Sequence, residues 1–376
     1  MKVIHFVPYY PPDRLGGVGE YAARLHQALL DAGHESLVVT RGTTPGPHVT
    51  RIARSALGWF LRGALEAGRA ARADVVHVHA GEALPLLLAL ALRSPRARIL
   101  ATFHVSYAGV AASLRPYRLE GQGFGGGPRA CIERRLVAPL HRAVDAIALR
   151  LADAVAPITR ACAREVLGAD RAQTADVIYH GLPELAAGPS AEAVELLYVG
   201  RGGHRKRVHA LPFVLERVRE EAPGARLRIV GFDFSEEPAL RDAFAAKGLT
   251  DAVECLGAIP ASALPAHYRA ARVLVVPSAY EGLPLVIIEA MQCGLPVVAT
   301  NVAGHPEAID EGITGHLVPL DEPRVLGERC ASLLADPASR DAMGRRAREV
   351  AVERFSMADH VGAYLALYRR LCEDAA

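Results

Sequence analysis

Short apolar runs recur along this chain, each followed by a loop and a stretch of helical periodicity, and the whole alternation occurs twice. In the first half the runs are 3–7, 35–40 (ESLVVT), 74–79 (DVVHVH) and 97–103 (ARILATF), with helices expected at about 19–32, at 55–72 and after Glu82. Tyr21, Leu25 and Leu29 share one face of the first helix, and Gly33 closes it. Strands that are apolar throughout must be covered on both faces, which is the condition of a parallel sheet in an α/β fold.

The pattern breaks at 106–127, SYAGVAASLRPYRLEGQGFGGG, a long glycine-rich loop of the kind that is usually functional in a compact domain. Helical sequence resumes at about 130–152, and 153–157 and 176–179 read as short strands. Residues 180–190 (HGLPELAAGPS) are polar, rich in Gly and Pro and non-periodic, which marks a linker. Beyond it the alternation restarts, with strands at 195–199, 225–230, 252–256, 273–277 and 296–299 and helices between and after them. A chain of 376 residues suits two domains. The expectation is an α/β protein of two Rossmann-like, doubly wound domains facing a central cleft. The first spans 1–185, the second 186–355, and a helix at 356–376 crosses back to the first.

Several function classes fall away on composition. The apolar run 83–92 is far shorter than the ~20 residues that span a bilayer, and the N-terminus reads as a strand rather than a signal peptide. The six cysteines form no C-x-x-C pair, which argues against a zinc site or a disulfide framework. A cytoplasmic protein is expected. Residues 1–185 hold 22 Lys and Arg against 15 Asp and Glu, a surplus of +7, while the remainder carries −5. A basic half is suited to an anionic partner. Nucleic acid is not expected, because aromatics do not interleave with the basic residues. Docking at the inner face of a membrane is the other reading of the basic half. Its best segment is the arginine-rich stretch 51–72 around Trp59, the rival being an ordinary surface helix.

Three segments carry candidate chemistry. GGVGEY (16–21) joins the first strand to the first helix, where Gly16 and Gly17 either leave room for an anion at the helix start or form a tight turn. YVGRGGHRKR (198–207) follows the first strand of the second half and places Arg201 and Lys206 at the carboxyl end of the sheet, where such folds bind ligands. Only three of the 43 basic residues are lysine, so Lys206 stands out, and an arginine fork with a lysine point charge suits a diphosphate. SAYEGLPLVIIEAMQCGLPVVAT (278–300) holds Glu281 in a turn and Glu289 in an apolar helix. Pro284 suits the first helical position and Gly294 the C-terminal cap. The backbone N–H groups of Gly282, Leu283, Pro284's successor Leu285 and the turn itself face the expected cleft. Glu289 accepts either ribose hydroxyls or a salt bridge from a nearby arginine.

These motifs, in this order, resemble the retaining glycosyltransferases of family 4, the glycosyl transferases group 1. The resemblance rests on GGVGEY, on TFH at 102–104, IYHGLPE near the linker, VGRGGHRK at 199–206, the pair Glu281 and Glu289 as E-x7-E, and VAGHPEAI at 302–309, and so covers nearly the whole chain. It implies the GT-B fold and transfer of a sugar from a UDP- or GDP-sugar to an acceptor hydroxyl. Glu281 would contact the donor sugar and Glu289 the ribose. Arg201 and Lys206 would neutralise the diphosphate, with Gly16, Gly17 and the turn Gly282, Leu283, Pro284 and Leu285 close to the donor. His104 would hydrogen-bond the transferred sugar or the reacting centre. The acceptor, a glycan, lipid-linked or small molecule, would bind the first domain near 106–127. No Asp-x-Asp occurs, so metal independence is expected and no cofactor is implied. Rival readings are a nucleotide-sugar epimerase or hydrolase of the same fold and a non-catalytic sugar-nucleotide binding module.

The chain departs from the family pattern at His180, where Asn is usual, at Arg207, where Gly is usual, and at Leu283 and Pro284 in the turn. Phe232 and Asp233, in GFDF, are expected near the base pocket. His77 and His79 share a strand face and could ligate a metal, but no third ligand is apparent in the sequence.

Overall fold

The computed structural model describes all residues except 14–16, 45, 67–69, 80–86, 90–96, 126–130, 189–192 and 374–376. Gly16 and most of the helical run expected after Glu82 therefore lie outside the described residues. The strands in chain order are β1 (Lys2–Phe6), β2 (Glu35–Arg41), β3 (Val49–Ala53), β4 (Val75–His79) and β5 (Arg98–Phe103). A short ribbon, β6 (Tyr117–Leu119) and β7 (Gln122–Phe124), precedes β8 (Ala154–Pro157). The second series is β9 (Val194–Val199), β10 (Leu227–Val230), β11 (Val253–Cys255), β12 (Ala271–Val276), β13 (Val297–Thr300) and β14 (Gly315–Val318).

Two six-stranded sheets result, β3-β2-β1-β4-β5-β8 and β11-β10-β9-β12-β13-β14, with every pairing parallel. Each has the doubly wound order in which the chain reverses direction beside its first strand, at β1/β4 and at β9/β12. By compactness the chain divides into residues 1–108, 135–181 and 357–376 as one unit and 109–134 with 182–356 as the other.

In the first unit, side chains alternate across the sheet. Ile4, Phe6, Val76, Val78, Ile99 and Phe103 point to one core with Trp59 and Cys162. Val3, Val7, Val38, Val75 and Leu100 point to the other, where Leu25 and Leu29 of helix Gly17–Asp31 meet Tyr364, Leu367, Tyr368 and Leu371 of helix Met357–Glu373. In the second unit, Leu196, Tyr198, Leu227, Ile229, Val273 and Val275 pack with Val214, Val218 and Leu326 from the flanking helices.

Three local expectations are corrected. The stretch 51–72 is not one helix: Arg51 lies in edge strand β3, its guanidinium 2.9 Å from Asp13, and the helix is Ala56–Gly63. Trp59 is 4% exposed and packs against Phe6, so it is core rather than a membrane anchor. An edge strand needs only one covered face, and the arginine spacing hid it. Residues 176–179 form no strand, since Ile178 makes a single backbone bond to Pro157. The loop 106–127 contains helix Tyr107–Ser113 and the β6–β7 ribbon, and residues 109–134, read with the first domain, cluster with the second unit. No helix among the described residues is long and apolar enough to cross a membrane.

The ribbon explains Arg207. Tyr117 and Leu119 pack on Ala210 and Phe213, and the Arg207 guanidinium lies over the Tyr117 ring and 3.3 Å from Asp321. Arg207 has φ +52°, the left-handed region that costs a side-chain-bearing residue about 1–2 kcal/mol. The ring and the carboxylate offset that strain. Arg207→Ala should lose both contacts and keep the strain, destabilising the protein by about 1–2 kcal/mol. Arg207→Gly should be the more stable of the two variants by roughly 1 kcal/mol, as measured by denaturant unfolding. An Ala variant at least as stable as the Gly variant would contradict this account.

Candidate active site

The loops after β9 and β12 leave neighbouring strands at the reversal point of the second sheet, so their side chains converge. They are joined first through the backbone: Ala279 N–H donates to the Arg205 carbonyl at 2.8 Å. Gly231 supports the first loop from behind, because a Cβ there would lie 2.4 Å from the Gly200 carbonyl oxygen. Across this join, Lys206 Nζ is 2.6 Å from Glu281 Oε1 and Arg205 Nη1 is 3.7 Å from Oε2. Burial alone would raise the Glu281 carboxyl, but the two cations outweigh it and hold it down at about 2. Glu281 is 8% exposed and therefore a buried, permanently ionised carboxylate. Arg201, whose carbonyl accepts from Tyr198 at 2.9 Å, leaves its exposed guanidinium without an ion-pair partner among the described residues.

The helix after Glu281 runs Leu285–Gln292. Pro284 is its N-cap rather than its first residue, no side chain caps the start, and the Ile287 N–H is taken by the Pro284 carbonyl at 3.1 Å, so the N–H groups of Leu285 and Val286 are the uncapped ones. At the other end Gly294 (φ +79°) donates to Met291, and Leu295 to Ala290, which closes the helix with a Schellman pair. Glu289, half-buried on this helix, accepts from the Tyr268 hydroxyl at 2.9 Å. His305 is fully buried, bonds the Thr300 carbonyl at 2.6 Å, and follows Gly304, whose N–H donates to the Glu281 carbonyl. Arg205 and Tyr268 were not singled out by the sequence. Arg205 looked like one solvated neighbour among several, and the partner of Glu289 lies 21 residues away. Phe232 is 1% exposed in the core against Tyr198, and exposed Asp233 accepts from Ser235 N–H.

The remaining candidates belong to the first unit. Gly17 begins helix Gly17–Asp31 and is exposed, with open space where a Cβ would stand. His104 is 3% exposed and spends neither nitrogen on solvent: Nε2 meets His79 Nδ1 at 3.2 Å and Nδ1 meets His180 Nε2 at 3.2 Å. The register explains the gathering, since His5 pairs with His77 and His79 with Thr102 on one sheet face. His5, His77 and His79 each offer a nitrogen within 4.8 Å of the others, so strand register supplies the third nitrogen that the sequence did not disclose. Both nitrogens of His77, however, sit 2.7 Å from hydroxyls, of Tyr368 and Thr102. A metal would have to displace one of them.

Two family models match: Glycosyltransferase Family 4 over residues 15–184 and Glycosyl transferases group 1 over residues 187–350. The chain belongs to glycosyltransferase family 4. This glycosyltransferase is 28% identical to the glycogen synthase of Mycobacterium tuberculosis over 389 residues, covering 93% of this chain and 90% of that protein. It is 36% identical to the D-inositol 3-phosphate glycosyltransferase of Kineococcus radiotolerans over 205 residues, 50% of this chain and 47% of the relative. In structure it is similar to the sucrose-phosphate synthase of Thermosynechococcus elongatus, with TM-score 0.82, 24% identity and 99% of both chains covered. It is also similar to Anabaena HepE in complex with UDP and glucose, with TM-score 0.77, 19% identity and 98% and 100% covered. The two sheets are the Rossmann-like halves of the GT-B fold.

The glycosyltransferase keeps its buried histidines neutral. Burial lowers His5 and His104 to about 3 and His26 and His360 to about 4, and it holds His77, His79 and His180 well below the usual range. Unfolded histidines take protons near 6.5 while these do not, so their contribution is present above that pH and is lost as pH falls toward 3–4. Each contributes up to about 1.4 kcal/mol per pH unit. Unfolding free energy should fall steeply between pH 6.5 and 4.5, where carboxylates are still ionised. Denaturant melts that stay flat across this window would contradict the burial of the cluster.

Proposed function

We propose that this glycosyltransferase moves a sugar from a UDP-sugar to an acceptor hydroxyl with retention of anomeric configuration and without a metal ion. The observation that carries the reading is the convergence of Arg205 and Lys206 with buried Glu281 at the β9/β12 reversal point, on the loop that also carries Arg201. Breaking the anomeric C–O bond leaves negative charge on the nucleoside diphosphate, and fixed cations stabilise that charge without reorganising. Lys206 and Arg205 would turn from Glu281 to the phosphates. Glu281 would then accept from hydroxyls of the donor sugar, and Glu289, oriented by Tyr268, from the ribose. The uncapped start at Leu285 adds N–H donors beside the phosphates. Gly16 and Gly17 would leave space for the diphosphate, and His104 would meet the transferred sugar.

UDP is favoured over GDP because several structural neighbours are described with UDP or UDP-glucose bound. The cations on the loop and the lack of any Asp-x-Asp in the sequence support a metal-independent reading. Turnover with a UDP-sugar should persist in EDTA and exceed that with GDP- or ADP-sugars; inactivation by EDTA that added Mg²⁺ restores would overturn the metal-free reading. Lys206→Ala should weaken UDP binding by about 10- to 100-fold, the size of a lost charge-assisted bond, while uridine binding changes little. Equal losses for UDP and uridine, measured by calorimetry, would remove Lys206 from the diphosphate site.

A further inference from the structure

The first unit contains a linear run of four imidazoles. His5 Nδ1 lies 3.2 Å from His79 Nε2, His79 Nδ1 lies 3.2 Å from His104 Nε2, and His104 Nδ1 lies 3.2 Å from His180 Nε2. All four rings are buried. Every contact joins a Nδ1 to a Nε2, and a neutral imidazole carries one N–H and one lone pair. If His5 holds its proton on Nδ1, His79 must accept on Nε2 and hold its own on Nδ1, and so on to His180. Placing the proton on Nε2 of any one ring reverses all of them. Only two arrangements of the neutral run satisfy all three contacts. Any mixture sets two N–H groups or two lone pairs face to face in a buried site.

We propose that His5, His79 and His180 are positioning residues that tie the tautomer of His104 to their own, the four rings behaving as a single tautomeric unit. Burial supplies the neutrality this requires, since all four imidazoles are held far below their usual range. The Tyr21 ring walls the run, with its centroid 5.6, 4.8 and 4.4 Å from those of His79, His104 and His180. His77 is outside the unit although its ring lies 4.1 Å from that of His79, because hydroxyls hold both its nitrogens. The two end atoms, His5 Nε2 and His180 Nδ1, are buried with no hydrogen-bond partner among the described residues. No donor or acceptor among the described residues therefore pins either end, and the choice between the two arrangements is shared along the run.

The consequence for catalysis rests on the reading of His104 as a contact of the donor sugar. Both its nitrogens are engaged, so a sugar hydroxyl can reach it only when one neighbour yields. Breaking the contact to His180 leaves His104 joined to His79 and His5, whereas breaking that to His79 leaves it joined to His180 alone. His180 is the partner that yields, and the arrangement fixed by His79 and His5 decides whether His104 then offers the hydroxyl an N–H or a lone pair.

The test is a two-bond ¹⁵N–¹H correlation spectrum of the full chain, labelled at histidine, at neutral pH and without ligand, with signals assigned by single His→Phe variants. The expected result is four neutral rings sharing one tautomer, and loss of that match between His5 and His104 in His79→Phe while His77 is unchanged. A mixed set of tautomers in the unsubstituted protein, a protonated ring among the four, or a stoichiometric metal ion lost in His5→Phe would each overturn the proposal. The spectrum needs no donor, so it separates the two readings. Uniform tautomers support the coupling even if His104→Ala leaves sugar transfer intact, a result that would count against the role of His104 alone.

Discussion

A carboxylate with almost no exposure and a lysine ammonium 2.6 Å away organise the loops at the β9/β12 reversal point of the second unit. Removing two charges from water costs several kcal/mol per ion, so such a pair persists only where geometry is held from elsewhere. Here the holding comes from parallel pairing of β9 with β12 and from the backbone bond between Ala279 and Arg205, which set the two loops side by side before any side chain is considered. The pair in turn keeps Arg205, Lys206 and the helix start at Leu285 from being three uncompensated positive ends in one place. Its geometry is also a reservoir: cations already desolvated and aimed lose little further freedom when an anion replaces the carboxylate.

The first unit solves the same problem in the opposite way. Its sheet also gathers polar groups at the carboxyl ends of its strands, but there the groups are imidazoles, hydroxyls and phenols that avoid charge rather than pair it. One half of the protein is tuned by ion pairing, the other by desolvation. The two halves therefore respond differently to solvent: competing anions act on the first kind of network and acid on the second.

Most of the fold was legible in the sequence because parallel strands covered on both faces are apolar throughout and repeat with their helices. What escaped was at the edges. Strand β3 carries Arg51 and β14 begins with a glycine, and each pairs on one side only, so neither shows the continuous run that marks an interior strand. Lys206 and Glu281 were legible because each is chemically out of place, a rare lysine and an acid beside an apolar helix. Arg205 was not, since it is one of many arginines, and only the loop-to-loop join brings it to Glu281. His5 escaped for a related reason: nothing in its own surroundings announces it, and its partners arrive 72 and 74 residues later through strand register. The left-handed backbone at Arg207 and the ribbon that compensates it are likewise products of tertiary packing.

The compact unit that carries Glu281 and Lys206 is not a continuous piece of chain. Its Tyr117–Phe124 ribbon is encoded between strands of the other sheet, yet it covers Phe213 and holds Arg207, the residue next to Lys206. Anyone exchanging halves between relatives to alter donor choice would, by cutting at the linker, graft a unit that lacks its own lining and takes on a foreign one. A faithful exchange has to move residues 109–134 together with 182–356. In this protein the compact unit that holds the Glu281–Lys206 pair is thus larger, and more scattered along the gene, than the linker suggests.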